Sequence, residues 1–519
     1  MITTSRMSPA LDRRTLQDPQ QILEALESFL QAAKSPVLVE DGRPALGIVR
    51  DRLRIEATST GVILESWGPE GAVIRRVTAV ASVSRTKIEL KARRFAQADI
   101  RLSIIDSAAA PTAGSADGHS SETFLQRLIA REFPLARVSR LSGYTDLQHS
   151  LSGRHVRCRM DEKQLSWAVV AAPPQSSADA CDCAVTTGLL WLESMRQFDS
   201  RRPVAGLRIF LPLGRQERTC RILRGLNLQL AVYELYTYDT RSNVQKIDLA
   251  NAGNAHTLFR ARYRPAAFGP PLLDWLADLE RRPWVETVAQ ANGSLSLRVL
   301  GLEFAAARAG EMVYGLQAET VVTQTNFSDV LRLADQLASF RNSKAADRDH
   351  PLFRADPERW LESRIRRDLR NLDSSLGGAP VFSQSATATG LDRGIIDLIT
   401  ADQSGRLTVL EVKATANLQL PIQALDYWLA VDAIIKTSFD LIASYFPDRQ
   451  LSQASPRLIL IAPALEFHPT TELITRYFDP QVPLERIGLN TAWRTAAKKR
   501  YHQRDRGRPD CFSADTAAV

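Results

Sequence analysis

The chain has only five cysteines in 519 residues, at positions 158, 181, 183, 220 and 511. They are too few and too irregularly spaced for a disulfide framework in a chain this long, and a reducing compartment suits them. Cys181-Asp182-Cys183 is the one close pair; with no matching pair or nearby His cluster it does not complete a four-ligand zinc site. Long apolar runs are also missing. Met1 to Arg14 lacks a signal-peptide core, and no run approaches the roughly 20 residues of a membrane span. These absences predict a soluble, cytoplasmic protein. Lysine is the scarce charge: 10 residues, against 56 arginines. A lysine inside an apolar strand is therefore conspicuous.

What remains is an ordinary globular composition, 44% hydrophobic and 24% charged, with a formal net charge of +8 that permits a polyanionic partner without requiring one. The length predicts about two to four domains. The fold class expected is multidomain α/β. Residues 1–107 read as a small α+β domain: Ile22, Leu23, Leu26, Phe29 and Leu30 have helical spacing, and alternation marks strands at Leu53–Ala57, Val62–Trp67 and Lys87–Ala92. The small, polar stretch 108–121 is expected to be a linker, because it cannot bury enough apolar surface to order itself. An α/β domain follows at 122–250 and a mixed α/β connecting region at 251–343. The polar run Asn342–Pro357 then leads into a last domain at 356–490, with a basic tail at 491–519.

Three acid-x-Lys tripeptides occur, at Glu89, Asp161 and Glu411, where composition alone gives about one. Context separates them. Leu407, Val409, Glu411 and Lys413 alternate with Thr408, Leu410 and Val412, so a strand puts the carboxylate and the ammonium on one face near its end. Just upstream, Gly394-Ile395-Ile396-Asp397-Leu398-Ile399 is an apolar strand interrupted by one acid, followed by a short polar turn. A hairpin would set Asp397 beside Glu411. Converging buried acids need a compensating charge, and a hard divalent cation supplies it. An ordinary ion-pair network at a sheet end would use the same three residues. Two flanking helices add polar groups: Leu420–Ile435 carries Gln423 and Tyr427 on one face, and the helix opening at Pro357 carries Glu358 and Glu362, either of which could be a third acid. By contrast, Glu89-Leu90-Lys91 has no acid on the preceding strand and reads as an exposed strand face.

The order Glu362, Gly394-x-x-Asp397, Glu411-x-Lys413, Gln423-x-x-x-Tyr427 resembles the RecB-like branch of the PD-(D/E)XK nucleases over roughly residues 356–465. The hairpin around Asp397 and Glu411 is also similar to the nuclease domain of the NucS-type mismatch endonucleases. The resemblance implies a restriction-endonuclease-like core and a metal-dependent nuclease acting on nucleic acid, above all DNA, in repair or defence. Asp397, Glu411 and Glu362 would be its Mg²⁺ or Mn²⁺ ligands, Glu362, Asp397, Glu411 and Lys413 its catalytic residues, and Gln423 and Tyr427 its substrate contacts. In the tail, Arg494, Lys498, Lys499 and Arg500 interleave with Trp493 and Tyr501 and read as phosphate contacts. A catalytically silent DNA-binding or scaffold protein of the same fold, and a nuclease for RNA, are the alternatives. A homodimer or a protein partner through the N-terminal domains is left open.

The domain at 122–250 also echoes the last one. Glu122-Thr-Phe-Leu matches Glu358-Arg-Trp-Leu, Leu165–Val170 matches Leu407–Val412, and Leu207–Pro212 matches Leu458–Pro463. In that alignment Glu411 and Lys413 fall opposite apolar positions near Val169 to Ala172. Two readings stay open: a degenerate, non-catalytic nuclease-like copy, and a coincidence of generic helix-strand-helix-strand order.

Overall fold

A computed structural model describes residues 16–33, 36–40, 43–48, 53–58, 61–68, 71–84, 86–93, 99–106, 115–146, 149–198, 202–251, 268–290, 294–308, 310–316, 319–345, 347–348, 350–389 and 392–504. The chain is mixed α/β and divides into two compact units, Met1–Thr112 with Val313–Asp356, and Ala113–Met312 with Pro357–Val519. The linear partition expected above therefore differs at 313–356, which cluster with the N-terminal residues.

In the first unit a seven-stranded antiparallel sheet runs from Pro36 to Asp106. The helix Pro19–Ala32 starts where Asp18 accepts hydrogen bonds from the Gln20 and Gln21 amides, with Pro19 in the first turn. It buries Ile22, Leu26, Phe29 and Leu30 with Leu64, Val77, Val80, Leu90 and Ile104 from the sheet. Glu89 pairs on the strand surface with Lys87 and Ser82, as an exposed face should.

The second unit contains two six-stranded sheets built to one plan. The first lobe takes its strands in chain order, Arg137–Ser142, Val156–Glu162, Leu165–Ala171, Val204–Pro212, Val232–Tyr238 and Val244–Ile247. Its third, fourth and fifth strands are parallel, and the outer pairings are antiparallel. The second lobe repeats this with Phe382–Thr389, Asp392–Ala401, Leu407–Val412, Arg457–Pro463, Leu484–Leu489 and Lys499–Arg504, paired in the same senses. Parallel neighbours need crossovers, and helices supply them at equivalent places: Ala184–Phe198 and Leu420–Thr437 between the third and fourth strands, Glu217–Arg224 and Thr471–Arg476 between the fourth and fifth. A helix precedes each sheet, Ser115–Glu132 and Pro357–Arg367.

Two stretches expected to be loose are ordered. The helix Ser115–Glu132 runs back into the stretch expected to be a linker, because Leu125, Leu128 and Ile129 are buried and anchor it. Once a turn exists, each added residue brings a hydrogen bond. The start of the basic tail is likewise part of the sheet: Trp493 is buried, and Lys499–Arg504 pairs with Leu484–Leu489.

The lobes share one core. Leu189, Cys220, Leu223 and Leu226 pack in the same cluster as Leu425, Trp428, Ile474 and Phe478. At its edge the contact is reciprocal: the Asn227 amide donates to the Tyr477 carbonyl, the Asp479 amide to the Gly225 carbonyl, and Leu226 pairs with Phe478. Each trio follows the equivalent helix. Asn227 and Asp479 each accept from the amide two residues on, at 2.9 and 2.8 Å. The contact is thus made by equivalent segments of the two lobes.

Candidate functional site

The acid-bearing hairpin forms as its pattern demands. Leu398 lies opposite Leu410, which brings Asp397 to the end of the Glu411 strand, where its Oδ2 accepts from the Val412 amide at 2.9 Å. The six residues of that strand are all buried, so its charged residue is held in the sheet by the burial of its neighbours. Lys413 follows on the same face and its Nζ lies 3.1 Å from Glu411 Oε1 and 3.4 Å from Glu358 Oε2. Glu358, an alternative for the third acid, thus meets the lysine, with its own side chain 43% exposed.

Glu362 is buried on the same helix, and the charge of Asp397 acts on it. It faces Arg298 at 3.8 Å. Arg298 comes from an antiparallel meander, Val285–Ala289, Leu295–Val299 and Leu302–Arg308, that braces this helix. Glu286 on the meander accepts from Ser363 and ion-pairs with Arg366 and Arg367. At the hairpin tip Gly301 has φ +80°, and a Cβ there would lie 2.1 Å from the Arg359 carbonyl oxygen. Only glycine lets backbone approach that closely.

The electrostatics are those of crowded acids. Burial raises the Glu411 carboxyl well above its ordinary value, and the Asp397 carboxylate adds to it. Burial also raises Asp397, against the pull of Lys413, and raises Glu362, against that of Arg298. For Lys413 burial acts downward, but Glu411, Asp397 and Glu358 outweigh it and keep the ammonium charged. Burial raises the Tyr427 phenol, and the charges of Glu411 and Asp397 add to it. Glu411 Oε2 and Gln423 Oε1 are buried without a hydrogen-bond donor in range among the described residues, as are Glu65 Oε2 and Asp432 Oδ1 elsewhere, and the Asp397 and Glu411 carboxyls lie close enough to hydrogen-bond when one of them is protonated. Such atoms are costly unless something else binds them. Oxygen donors with an orphaned buried carboxylate oxygen suit a hard divalent cation such as Mg²⁺ or Mn²⁺, for which Asp397 and Glu411 are the nearest ligands; the ligand atoms of Glu362, Asp397 and Glu411 do not close into one three-acid group.

The structure therefore brings Asp397, Glu411 and Lys413 together, with Glu358 on the lysine; Glu362 and Tyr427 are linked to these acids by charge alone, and Gln423 lies one turn before Tyr427 on the helix Leu420–Thr437. It places the basic residues differently. Arg494 lies over the rings of Trp360 and Trp493, and the Lys499 ammonium donates to the Leu372 carbonyl at 2.6 Å. Both have structural partners here, and Lys498, Lys499 and Arg500 are exposed. Arg506 and Arg508 lie outside the described residues.

Sequence reasoning missed Arg218. It comes from the first lobe and binds Asp182 at 2.6 Å and Asp426 at 2.8 Å, while Arg221 holds the other oxygen of Asp426 at 2.7 Å. Asp426 is buried next to Tyr427 in the chain, and the Arg218 charge is felt by Tyr427. No local motif points to this clasp, since its partners are some 200 residues apart in sequence.

A second acidic cluster, Asp373, Glu485 and His502, has its ligand atoms mutually within 4.8 Å. A guanidinium already occupies its centre: Arg457 contacts Asp373 at 2.6 Å and Glu485 at 2.8 Å, and His502 bonds Glu485 at 2.6 Å. Burial alone would raise both carboxyls, but these partners take each down to about 2. This is an ion-pair knot, not a vacant ligand set. Among the described residues, no helix is long and apolar enough to cross a membrane. Comparison with family models, curated proteins and solved structures finds no match to this chain.

Proposed function

We propose that this chain is a metal-dependent nuclease that hydrolyses phosphodiester bonds of nucleic acid, with DNA as the substrate and repair or defence as the setting. The second lobe is its restriction-endonuclease-like catalytic core, and the first is a degenerate copy of it. The observation that carries the reading is the convergence of Asp397, Glu411 and Lys413 at one strand end, with a buried carboxylate oxygen left without a donor.

Asp397 and Glu411, supported by Glu362, would hold Mg²⁺ or Mn²⁺. When bound, the cation polarises a phosphodiester oxygen and lowers the pKa of a coordinated water. Lys413, kept charged by three acids, orients the attacking water and offsets the negative charge that builds on phosphorus in the transition state. Arg298 holds the Glu362 side, and Gln423 and Tyr427 place the nucleic-acid strand from the neighbouring helix.

The test incubates the purified chain with single-stranded, duplex and branched DNA and with RNA, in Mg²⁺, Mn²⁺ or EDTA. Cleavage should require the cation and be lost in Lys413→Ala and Asp397→Asn. Metal-dependent cleavage that survives both substitutions would remove this site. Cleavage of RNA alone would replace DNA as the substrate.

A further inference from the structure

The two lobes repeat one topology, yet only one carries the chemistry. The closing pair of the first lobe's hairpin, Leu165 with Glu162, corresponds to Leu407 with Ala401 in the second. Counting along from these pairs, Val169 occupies the position of Glu411 and Ala171 that of Lys413, with Cys158 opposite Val169 where Asp397 would stand. These residues are fully buried together with Leu125, Leu128, Ile129, Phe210 and Tyr236. The position is filled with packed side chains as well as lacking ligands.

We infer that this chain breaks one phosphodiester bond per binding event, so that duplex DNA leaves it nicked and not severed; the inference rests on the nuclease reading of the Asp397–Glu411–Lys413 site. The two strands of a duplex are antiparallel and related by local two-fold axes. A pair of lobes joined by the reciprocal contact at Leu226 and Phe478 can therefore offer each strand an equivalent surface. The reactive centre adjoins that boundary: Tyr427 and Gln423 lie on the helix whose Asp426 is gripped by Arg218 and Arg221 of the first lobe. One strand meets Lys413 and its acids, and the other meets the equivalent face of the first lobe, beneath which Val169 and Ala171 are packed. In the single step that follows, water adds to phosphorus and one P–O ester bond breaks. The products are a phosphate monoester and an alcohol, whose oxygen takes a proton released from the water. Among the described residues, the matching position of the first lobe holds Val169, Ala171 and Cys158 and no acids to repeat this on the opposite strand.

The experiment uses negatively supercoiled plasmid in excess over the full chain, with Mg²⁺ or Mn²⁺, sampled from the first turnover. Nicked circle should accumulate first, with linear DNA appearing only later as independent nicks meet, and Lys413→Ala should give neither. Linear DNA forming alongside nicked circle from the earliest times overturns the inference and leaves the nuclease reading standing, because a second centre, such as one from another copy, would then be at work. Cutting of a single-stranded circle with none of the plasmid has the same effect. No cutting of either circle overturns both.

Discussion

Glu411→Gln distinguishes a catalytic carboxylate from a structural one by the sign of its effect on stability. Glu411 is 1% exposed, lies beside Asp397, and has one oxygen without a donor among the described residues. Each unit by which burial and a like charge raise its carboxyl pKa is worth about 1.4 kcal/mol against the ionised folded state. The near-isosteric amide removes that repulsion while Asp397 and Glu358 still face Lys413. In EDTA at mildly alkaline pH the variant should be more stable by about 1–3 kcal/mol, the scale on which function-committed sites oppose stability. At about 2–4 °C per kcal/mol, this is a Tm rise of several degrees. A plain ion-pair network predicts the reverse, since breaking a buried pair costs about 3–5 kcal/mol. The pH dependence carries its own sign. An acid whose folded pKa is raised costs stability above that pKa, and the cost is relieved as pH falls through it toward the unfolded value. The variant's advantage should therefore grow with rising pH and vanish toward the ordinary carboxylate range. Saturating Mg²⁺ or Mn²⁺ should stabilise the wild type by about 2.7 kcal/mol at a hundredfold excess over Kd, and the variant far less. Thermal and denaturant unfolding measure all of this, and destabilisation of Glu411→Gln in EDTA at alkaline pH would refute the reasoning.

Other expectations follow from the same structure. Arg457→Ala leaves Asp373 and Glu485 buried without their cation and should lower stability by about 3–5 kcal/mol in denaturant unfolding. In the wild type both carboxyls are depressed to about 2, so the knot's contribution is complete above the unfolded carboxylate values and should be lost as pH falls from there toward 2. Arg218→Gln unties the clasp on Asp426 and should lower cleavage about tenfold, or ~1.4 kcal/mol, with the metal requirement unchanged. Arg218→Lys should not rescue it, because a lysine cannot span Asp182 and Asp426 as the forked guanidinium does. Val169→Glu puts an unpaired charge into the first lobe's core and should cost several kcal/mol without adding cation binding, read by unfolding and calorimetry.

What could be read locally was read well, because those signals are periodic. The helices at Pro19, Pro357 and Leu420 show their apolar stripes in the sequence, and the alternation through Leu407–Lys413 already places Glu411 and Lys413 on one face. The hairpin that adds Asp397 needed only a short turn. The helix start at Ser115 was hidden, since its first turns are polar and owe their order to residues further on. The basic stretch at 491–504 was hidden for a related reason: its charge is visible, but not the buried Trp493 or the edge pairing that ties it down.

By itself the sequence determined the four-motif order, the candidate acids and lysine, and the faint echo between residues 122–215 and the last domain. Tertiary structure decided the rest, because it turns on contacts between residues far apart in the chain. Helix packing, which no motif states, buries Glu362 within reach of the Asp397 charge and sets Glu358 on Lys413. The Arg298 and Arg218 supports come from the meander and the other lobe. The same holds for the echo: matched residues suggested a repeat, while the strand senses shared by the two sheets and the pairing of Leu226 with Phe478 appear only in the fold. Backbone pairing depends on where chains meet in space, and a single sequence records that only indirectly.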